Sequence, residues 1–494
     1  MEDDQNSRPL LVNRHERSLS DARISDLSSG QIEEVLERKP LGVRWWIRVS
    51  VWESRLLWIL SWASIVVSEF NYMLTFLTLM FCGHLSALEL AGASVASVGI
   101  QGLAYGIMCA DKPTGAKQYA AMGIICQRAM ILHLGAAIIL TAIYWFAGPI
   151  LIAIGQSESI AEQGQIFARS LILQIYAFAL LCPMQRFLQA QNIVNPLAYM
   201  SVGIFLLHIL LSWLVVDVFK FGLLGAGLTL SFSWWLLVIT TGLYILLSPN
   251  CKETWTGFSW KAFTGIWPYF KLTIASAVML WYSGDMVQPR TGAHIRTASN
   301  PTLSLDSISI CMNYLNWDIC FMLGLSTAAS VRVSNELGAG HPKVAKFSVF
   351  IVNGNSILIS AIFSAIILIF RIGLSNLFTS DPEIIDAVSN LTPLLAMSVF
   401  LNGIQPILSG VAIGSGWQSI VAYVNLTAYY VIGLPIGCVL GFKTSLGVAG
   451  IWWGMLTGVF LQTVTLIILT ARTNWDAEVI KAADRVKLLR TKQS

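Results

Sequence analysis

Apolar residues run through most of this chain in blocks of about 20, the length an α-helix needs to cross the hydrocarbon of a bilayer. The blocks lie at residues 56–81, 88–109, 129–154, 167–187, 197–217, 223–247, 263–282, 303–330, 347–372, 385–413, 420–440 and 446–471. Each predicts a spanning helix, because lipid offers the backbone no hydrogen-bond partner and a helix satisfies its own amides and carbonyls. The pattern predicts an all-α polytopic membrane protein of about twelve transmembrane helices.

The polar connections alternate in sign. Lys112, Lys117 and Arg128 follow the second block, Lys252 and Lys261 the sixth, and Arg332, Lys343 and Lys346 the eighth, whereas residues 155–165 and 378–386 are acidic. By the excess of cations in cytoplasmic loops, both termini are expected in the cytoplasm. The two halves also repeat. Tyr199 and Tyr423 stand 224 positions apart in matching Ala-Tyr pairs, Gly227 and Gly450 stand 223 apart, and Gly115 and Gly338 stand 223 apart. An even number of spans per copy makes the copies parallel, an arrangement that places substrate at the repeat interface near mid-bilayer. The expected organisation is a disordered cytoplasmic tail (1–51), a six-helix bundle (52–250), a linker (251–262), a second six-helix bundle (263–471) and a cytoplasmic C-terminal tail (472–494).

Composition agrees with burial in lipid: 55% of residues are hydrophobic and 12% are charged, against roughly 25% charged in soluble chains. A net charge of +4 is too small, and its cations too scattered, to suggest nucleic acid. The polar N-terminal segment shows no pattern for a removable signal peptide, and Ser18, Ser20 and Ser25 stand beside arginines as candidate phosphorylation sites in an otherwise solvated tail. Eight cysteines lie in or beside apolar runs without metal-ligand spacing, so no metal site is expected. No phosphate-cradling G-x-x-x-x-G-K-[ST] loop and no hydrolase or metalloprotease motif is present, so the chain is read as not an enzyme, and any transport it performs draws on an ion gradient.

Ionisable groups inside a span cost roughly 2.5–3.5 kcal/mol on insertion scales and are functional candidates by default. Glu69 is the most interior. A carboxyl there can take up and release a proton as water access alternates; the competing reading is a structural carboxyl bonded to a neighbour. Asp306 is the second proton-coupling candidate, and Asp217, Asp306 and Asp318 are all placed near span ends, where solvated or capping roles compete. Gln101, Tyr105, Gln174, Tyr176, Asn313, Asn402, Gln405, Asn425, Tyr429 and Tyr430 are candidates to line a cavity for amphipathic solutes, with Tyr423 beside them; each could equally serve as an interhelical bond or interface anchor. Pro183, Pro196, Pro406 and Pro435, with Gly410, Gly414, Gly416 and Gly433, offer bending points or loop ends.

Several longer stretches carry a resemblance. FCGHLSALELAGAS, GIQGLAYGIM, GAKQY, SVRVSNELGAG, SGVAIGSGWQSIVAYVN, GVAGIWWGM and TNWDAEV, in this order from Trp52 to Lys487, resemble the plant multidrug and toxic compound extrusion (MATE) transporters. FNYML and AYGIM are similar to the branch associated with flavonoid transport into vacuoles. The resemblance implies two six-helix bundles around a V-shaped cavity and exchange of an organic solute for protons, ahead of sodium. It implies a small organic solute and the bilayer as partners, no cofactor besides the proton gradient, a monomer, and the vacuolar membrane in preference to the plasma membrane. A receptor or scaffold that binds a metabolite without moving it is the alternative, as is an inactive product of a disrupted gene.

Two segments depart from the family wording. GIMCADKPTGAKQY shortens the second span, and MLWYSGDMVQPRTGAHIRTASNPTLSLDS replaces the L-E-x-W-Y motif and the apolar run that carry the family's proton-accepting Glu in the seventh span. The tenth-span acidic position of some branches is Asn402, which does not titrate. Codons for CGQAYG read one letter late give Ala110, Asp111, Lys112, Pro113 and Thr114; codons for LETWYS read two letters late give residues 284–288, and a similar slip gives residues 291–298. Both segments, 109–114 and 284–300, are therefore expected to come from local frame slips. If they are translated as written, Arg290, His294 and Arg296 fall where hydrocarbon should be. Transcript sequencing is expected to return an open frame encoding LETWYS-like residues; a transcript that matches the present sequence rejects the slip.

Overall fold

The computed structural model describes residues 28–37, 42–102, 104, 119–191, 193–252, 254–263, 301–379, 381–444 and 446–481. The apolar blocks there are helices: α1 (Ser29–Glu37), α2 (Val43–Leu85), α3 (Ala87–Val95, continued as a π segment Ala96–Gln101), α4 (Tyr119–Trp145), α5 (Ala147–Ile154), α6 (Glu158–Ser170), α7 (Ile172–Ala190) and α8 (Asn195–Ser212, with π segment Trp213–Val218). They continue as α9 (Gly222–Leu247), α10 (Pro301–Ala339), α11 (Pro342–Ile369), α12 (Arg371–Asn376), α13 (Pro382–Asn402), α14 (Gln405–Gly414), α15 (Gln418–Leu426, with π segment Thr427–Gly433), α16 (Leu434–Lys443) and α17 (Gly447–Arg472). Nine of the described helices are long and apolar enough to span a bilayer, ten when Glu158–Ser170 and Ile172–Gln189, bent by 47°, count as one. The second expected span is described only as the shorter helix Ala87–Gln101. The seventh, and with it residues 109–114 and 284–300, lies outside the described residues.

Short polar signals set the boundaries. Ser86 is extended between α2 and α3; its Oγ accepts from the Glu89 amide (3.1 Å) and donates to the Glu89 carboxylate (2.9 Å), so its side chain satisfies one of the donors that a helix start leaves free. Asp381 caps α13 through the Glu383 amide (3.0 Å), with Pro382 in the first turn. Gly155, at φ 101°, closes α5 in the left-handed conformation that glycine adopts without strain. The acidic connection around residue 158 is thus largely helical, as α6.

The repeat legible in the sequence recurs in the helix starts. Ala147 and Arg371 stand 224 positions apart, Glu158 and Pro382 224, Asn195 and Gln418 223, and Gly222 and Gly447 225. Bulky side chains such as Ile139, Leu206, Leu247 and Ile369 point outward, as lipid-facing positions must. The glycines read as bending points do something else: a side chain on Gly410 or Gly414 would collide with the backbone of Ser326 or Ser330 on α10. They are sites of close helix approach.

The tail reading needs correction. Residues 29–37 form α1, α2 already begins at Val43, and Trp475 is buried near the C-terminal end. Ile32, Trp52, Leu337, Val344 and Trp475 share one apolar cluster, and their burial offsets the ordering entropy that a polar average composition conceals. Ser18, Ser20 and Ser25 lie outside the described residues.

The two halves are held together chiefly by α2 against α10. The helices run antiparallel: Glu53 meets Arg332, Ile65 meets Gly324 and Tyr72 meets Asn313. Gly324 is required at the crossing, since a Cβ there would stand 2.6 Å from the Ile65 Cα. At the face where α1 and Trp475 pack, the Glu53 carboxylate is fully buried and takes two guanidinium bonds from Arg332, at 2.8 and 2.9 Å. Arg332 also bonds Glu336 and lies 5.4 Å from the Trp52 ring centre, and Ser348 donates to Glu53. At the opposite end, Phe76, Tyr314 and Phe378 pack edge to face, with centroids 5.0–5.8 Å apart.

Removing one partner of a buried ion pair leaves the other charge uncompensated. Arg332→Ala is expected to cost about 3–5 kcal/mol, and replacing Glu53, Arg332 and Glu336 together by apolar residues to recover most of it. Thermal unfolding in detergent checks this: a single variant as stable as the parent contradicts the role given to the pair.

Candidate functional site

Between the ion network at one end of the α2–α10 seam and the aromatic cluster at the other lies a stretch of different character. Tyr72 OH donates to the Asn313 carbonyl (2.9 Å) and to Asn313 Oδ1 (3.1 Å), while Asn313 Nδ2 donates to the Ser309 carbonyl (2.8 Å). One turn from Tyr72 stands Glu69. Both of its carboxylate oxygens are buried and lack a hydrogen-bond partner among the described residues. Level with it on α10 is Asp318, fully buried, its two oxygens equally without a partner there. The Asp318 charge lies close enough to act on Glu69.

Asp318 corrects the sequence reading. It was placed near a span end, but α10 runs from Pro301 to Ala339 and puts residue 318 at its middle. Residue 318 also lies near the middle of the apolar block 303–330; what the block missed is the continuation of the helix through Arg332 and Glu336, where Arg332 answers both Glu336 and Glu53. The signal was available in the sequence as an Arg and a Glu four apart at the end of an apolar run. Asp217, by contrast, is exposed near the end of α8, where it was expected. Asp306 lies in the second turn of α10, and its side chain is outside the described residues.

The uncharged candidates fall into separate groups. Inside the first half, Gln101 Nε2 donates to Gln174 Oε1 (3.2 Å), and Tyr176 OH pairs with Thr141 Oγ1 (3.1 Å). Inside the second half, Gln462 Nε2 donates to Asn425 Oδ1; Gln462 is fully buried and was not singled out from the sequence. Asn313 belongs to the seam. Asn402 is buried where α13 ends, and Gln405 Nε2 bonds Ser409 within its own helix (3.2 Å). Tyr429 is half-buried in the π segment after α15, and Tyr423 is exposed. Tyr105, and the side chain of Tyr430, lie outside the described residues. Among the described residues these groups do not meet in one pocket. A cavity of about 430 Å³ is present between α8 and α9, but Leu211, Val215, Leu224, Leu228 and Phe232 line it and it opens on the lipid-facing side. No cluster of metal-ligating side chains occurs among the described residues.

Glu69 and Asp318 are therefore carboxyl groups at this depth that no described residue neutralises. An ionised carboxylate without donors in a water-poor interior is expensive, and a site of this kind is suited to reversible capture of a cation when one side or the other admits water.

Comparison with known proteins sets this geometry in a family. The MatE family model matches residues 63–214 and 296–439. Protein DETOXIFICATION 41 of Arabidopsis thaliana is 67% identical over 494 residues, covering 97% of this chain and 96% of that protein; Protein DETOXIFICATION 37 of Arabidopsis thaliana is 42% identical and covers 88% of each. The crystal structure of the eukaryotic MATE transporter AtDTX14 superposes with a TM-score of 0.79 at 33% identity, covering 88% of this chain and 99% of that one. The apolar spans, the repeated half and these matches together make the chain a member of the MATE family of multi-pass membrane transporters.

Proposed function

We propose that the chain is a secondary active antiporter that sequesters or exports small organic solutes, xenobiotics and flavonoid-type plant metabolites among them, in exchange for protons. The observation that carries this reading is Glu69: a carboxyl at mid-depth of the seam between the repeated halves, with both oxygens buried and no partner among the described residues. Structural carboxyls in this chain look different. Glu53 and Glu336 are buried too, and each is matched by several donors. A carboxyl kept without donors at an interface that must open and close is available to a proton from whichever side supplies water, and its neutral and charged forms favour different packings of the two halves.

The solute class is proposed from the polar groups each half carries. Gln101, Gln174 and Tyr176 in the first half, Asn402, Gln405 and Asn425 in the second and Asn313 at the seam do not meet in one pocket among the described residues. They would line a shared cavity only once the halves part, a mixture of amides and hydroxyls amid apolar walls that suits aromatic and glycosylated amphipaths. The vacuolar membrane is the proposed site of action, with the plasma membrane second. Exchange of one solute molecule at a time needs no partner chain, and a monomer is the proposed working unit.

A second reading has its own observation. The segments at 109–114 and 284–300 replace family wording that includes the usual proton-accepting Glu, so this chain as written could bind solute without coupled flux.

Purified full-length chain in proteoliposomes separates the readings. With a pH gradient imposed, a panel of flavonoid glycosides and organic cations is expected to yield at least one solute whose accumulation collapses when the gradient is dissipated. Glu69→Gln is expected to lower gradient-driven uptake about tenfold or more while solute binding persists, as for loss of a coupling step rather than of affinity. Saturable binding with no flux under any gradient rejects antiport and favours the receptor reading.

A further inference from the structure

Ahead of the first span lies a helix that no step of solute exchange requires. α1 opens with a reciprocal cap: the Ser28 amide donates to Gln31 Oε1 (2.9 Å) and the Gln31 amide to Ser28 Oγ (3.4 Å). Ile32 is fully buried and belongs to the cluster that includes Trp52 of α2 and Leu337 and Val344 of α10 and α11. Glu33 accepts from the backbone amides of Lys343 (3.0 Å) and Val344 (2.8 Å). These are first-turn donors of α11, which its own helix leaves free and where the helix dipole favours an anion. Glu37 meets Lys343 Nζ at 2.9 Å, an exposed pair that contributes little. Ser29 Oγ donates to Glu336 Oε1 at 2.8 Å.

α1 is thus seated on α10 and α11 of the second half, yet its chain leads straight into α2 of the first. Residues 38–42 join them, a covalent reach of at most about 20 Å. Separation of the halves at this face parts Glu53 from Arg332. As that gap widens, α1 either gives up its seat or holds the opening to the length of its tether.

We propose that α1 is a strap across the face that holds the Glu53–Arg332 pair, that it limits opening of the seam there, and that Ser29 is the point at which added negative charge releases it. The polar anchors all lie on the second half, Glu33 on α11 and Ser29 on Glu336 of α10, the residue that also bonds Arg332 and His341, so what crosses the seam is the link to α2 and the shared packing of Ile32 with Trp52. Charge placed on Ser29 would stand against the Glu336 carboxylate, and Arg332 already answers two carboxylates. The same charge lies in the first turn of α1, where an anion favours the helix. The strap then leaves as an intact helix instead of unravelling in place.

The consequence for flux rests on the antiport reading; the strap itself does not. The test uses the full-length chain in lipid nanodiscs with Ala329→Cys, a buried α10 position in the seam cluster, labelled by a charged maleimide against a background lacking that substitution. Ser29→Asp and Glu33→Ala are each expected to raise the labelling rate about tenfold, and Ser29→Ala to stay within about twofold of the parent. Ile32→Asn, which removes the apolar anchor and no charge, is expected to act like Glu33→Ala, with thermal unfolding confirming that the spans remain folded. Labelling at the parental rate in all three variants overturns the strap, and an unchanged rate in Ser29→Asp alone overturns the role of Ser29. Flux measured in parallel keeps the two readings apart: faster labelling without solute exchange supports the strap and rejects antiport, whereas exchange with unchanged labelling does the reverse.

Discussion

One helix pair organises this transporter. α2 and α10 cross antiparallel with Gly324 against the Ile65 backbone, and the main contact between the two halves among the described residues lies along that line. The pair is locked at one end by a desolvated carboxylate, guanidinium and carboxylate in series, Glu53, Arg332 and Glu336. Charges taken out of water are tolerable only when each is answered by another in good geometry, so this end is either fully assembled or fully apart. A bistable contact of that kind is what a two-state transporter needs at the boundary between its moving parts.

Between the locks the logic reverses. Glu69 and Asp318 are buried at the same level and neither is answered by a donor among the described residues. The cost of holding them is borne by the packing around them, and such cost is commonly retained where it does something. The neighbouring Tyr72 and Asn313 satisfy each other, which leaves the two carboxyl groups as the chemistry of the seam without a partner among the described residues.

Much of the architecture was legible in the sequence because lipid imposes a simple rule. A run of apolar residues long enough to span must be helical, and a copy of six such runs at a spacing near 223 carries the repeat, which reappears in helix starts from Ala147 and Arg371 to Gly222 and Gly447. Interior polar residues such as Gln101 and Gln174 were visible as candidates, though not their pairing. What stayed hidden was long-range compensation. Glu53 and Arg332 are 279 positions apart, and without the partner each reads as the polar edge of a span; Asp318, by contrast, stands near the middle of the block 303–330 as well as of α10, so its depth was legible. α1 was hidden for a related reason, since Ile32 and the Glu33 cap acquire their stability from α11, not from the composition of residues 1–51.

Whether the seam is the moving boundary is open to direct measurement. Spin labels in two pairs, one spanning α2 and α10 beside Glu53 and Arg332 and one spanning Gly83 and Phe378 at the other end, report both gaps by pulsed dipolar spectroscopy in the same preparation. A change of pH or addition of solute is expected to lengthen one distance as the other shortens. Distances that stay fixed at both ends, or that grow and shrink together, would contradict two halves rocking about this helix pair.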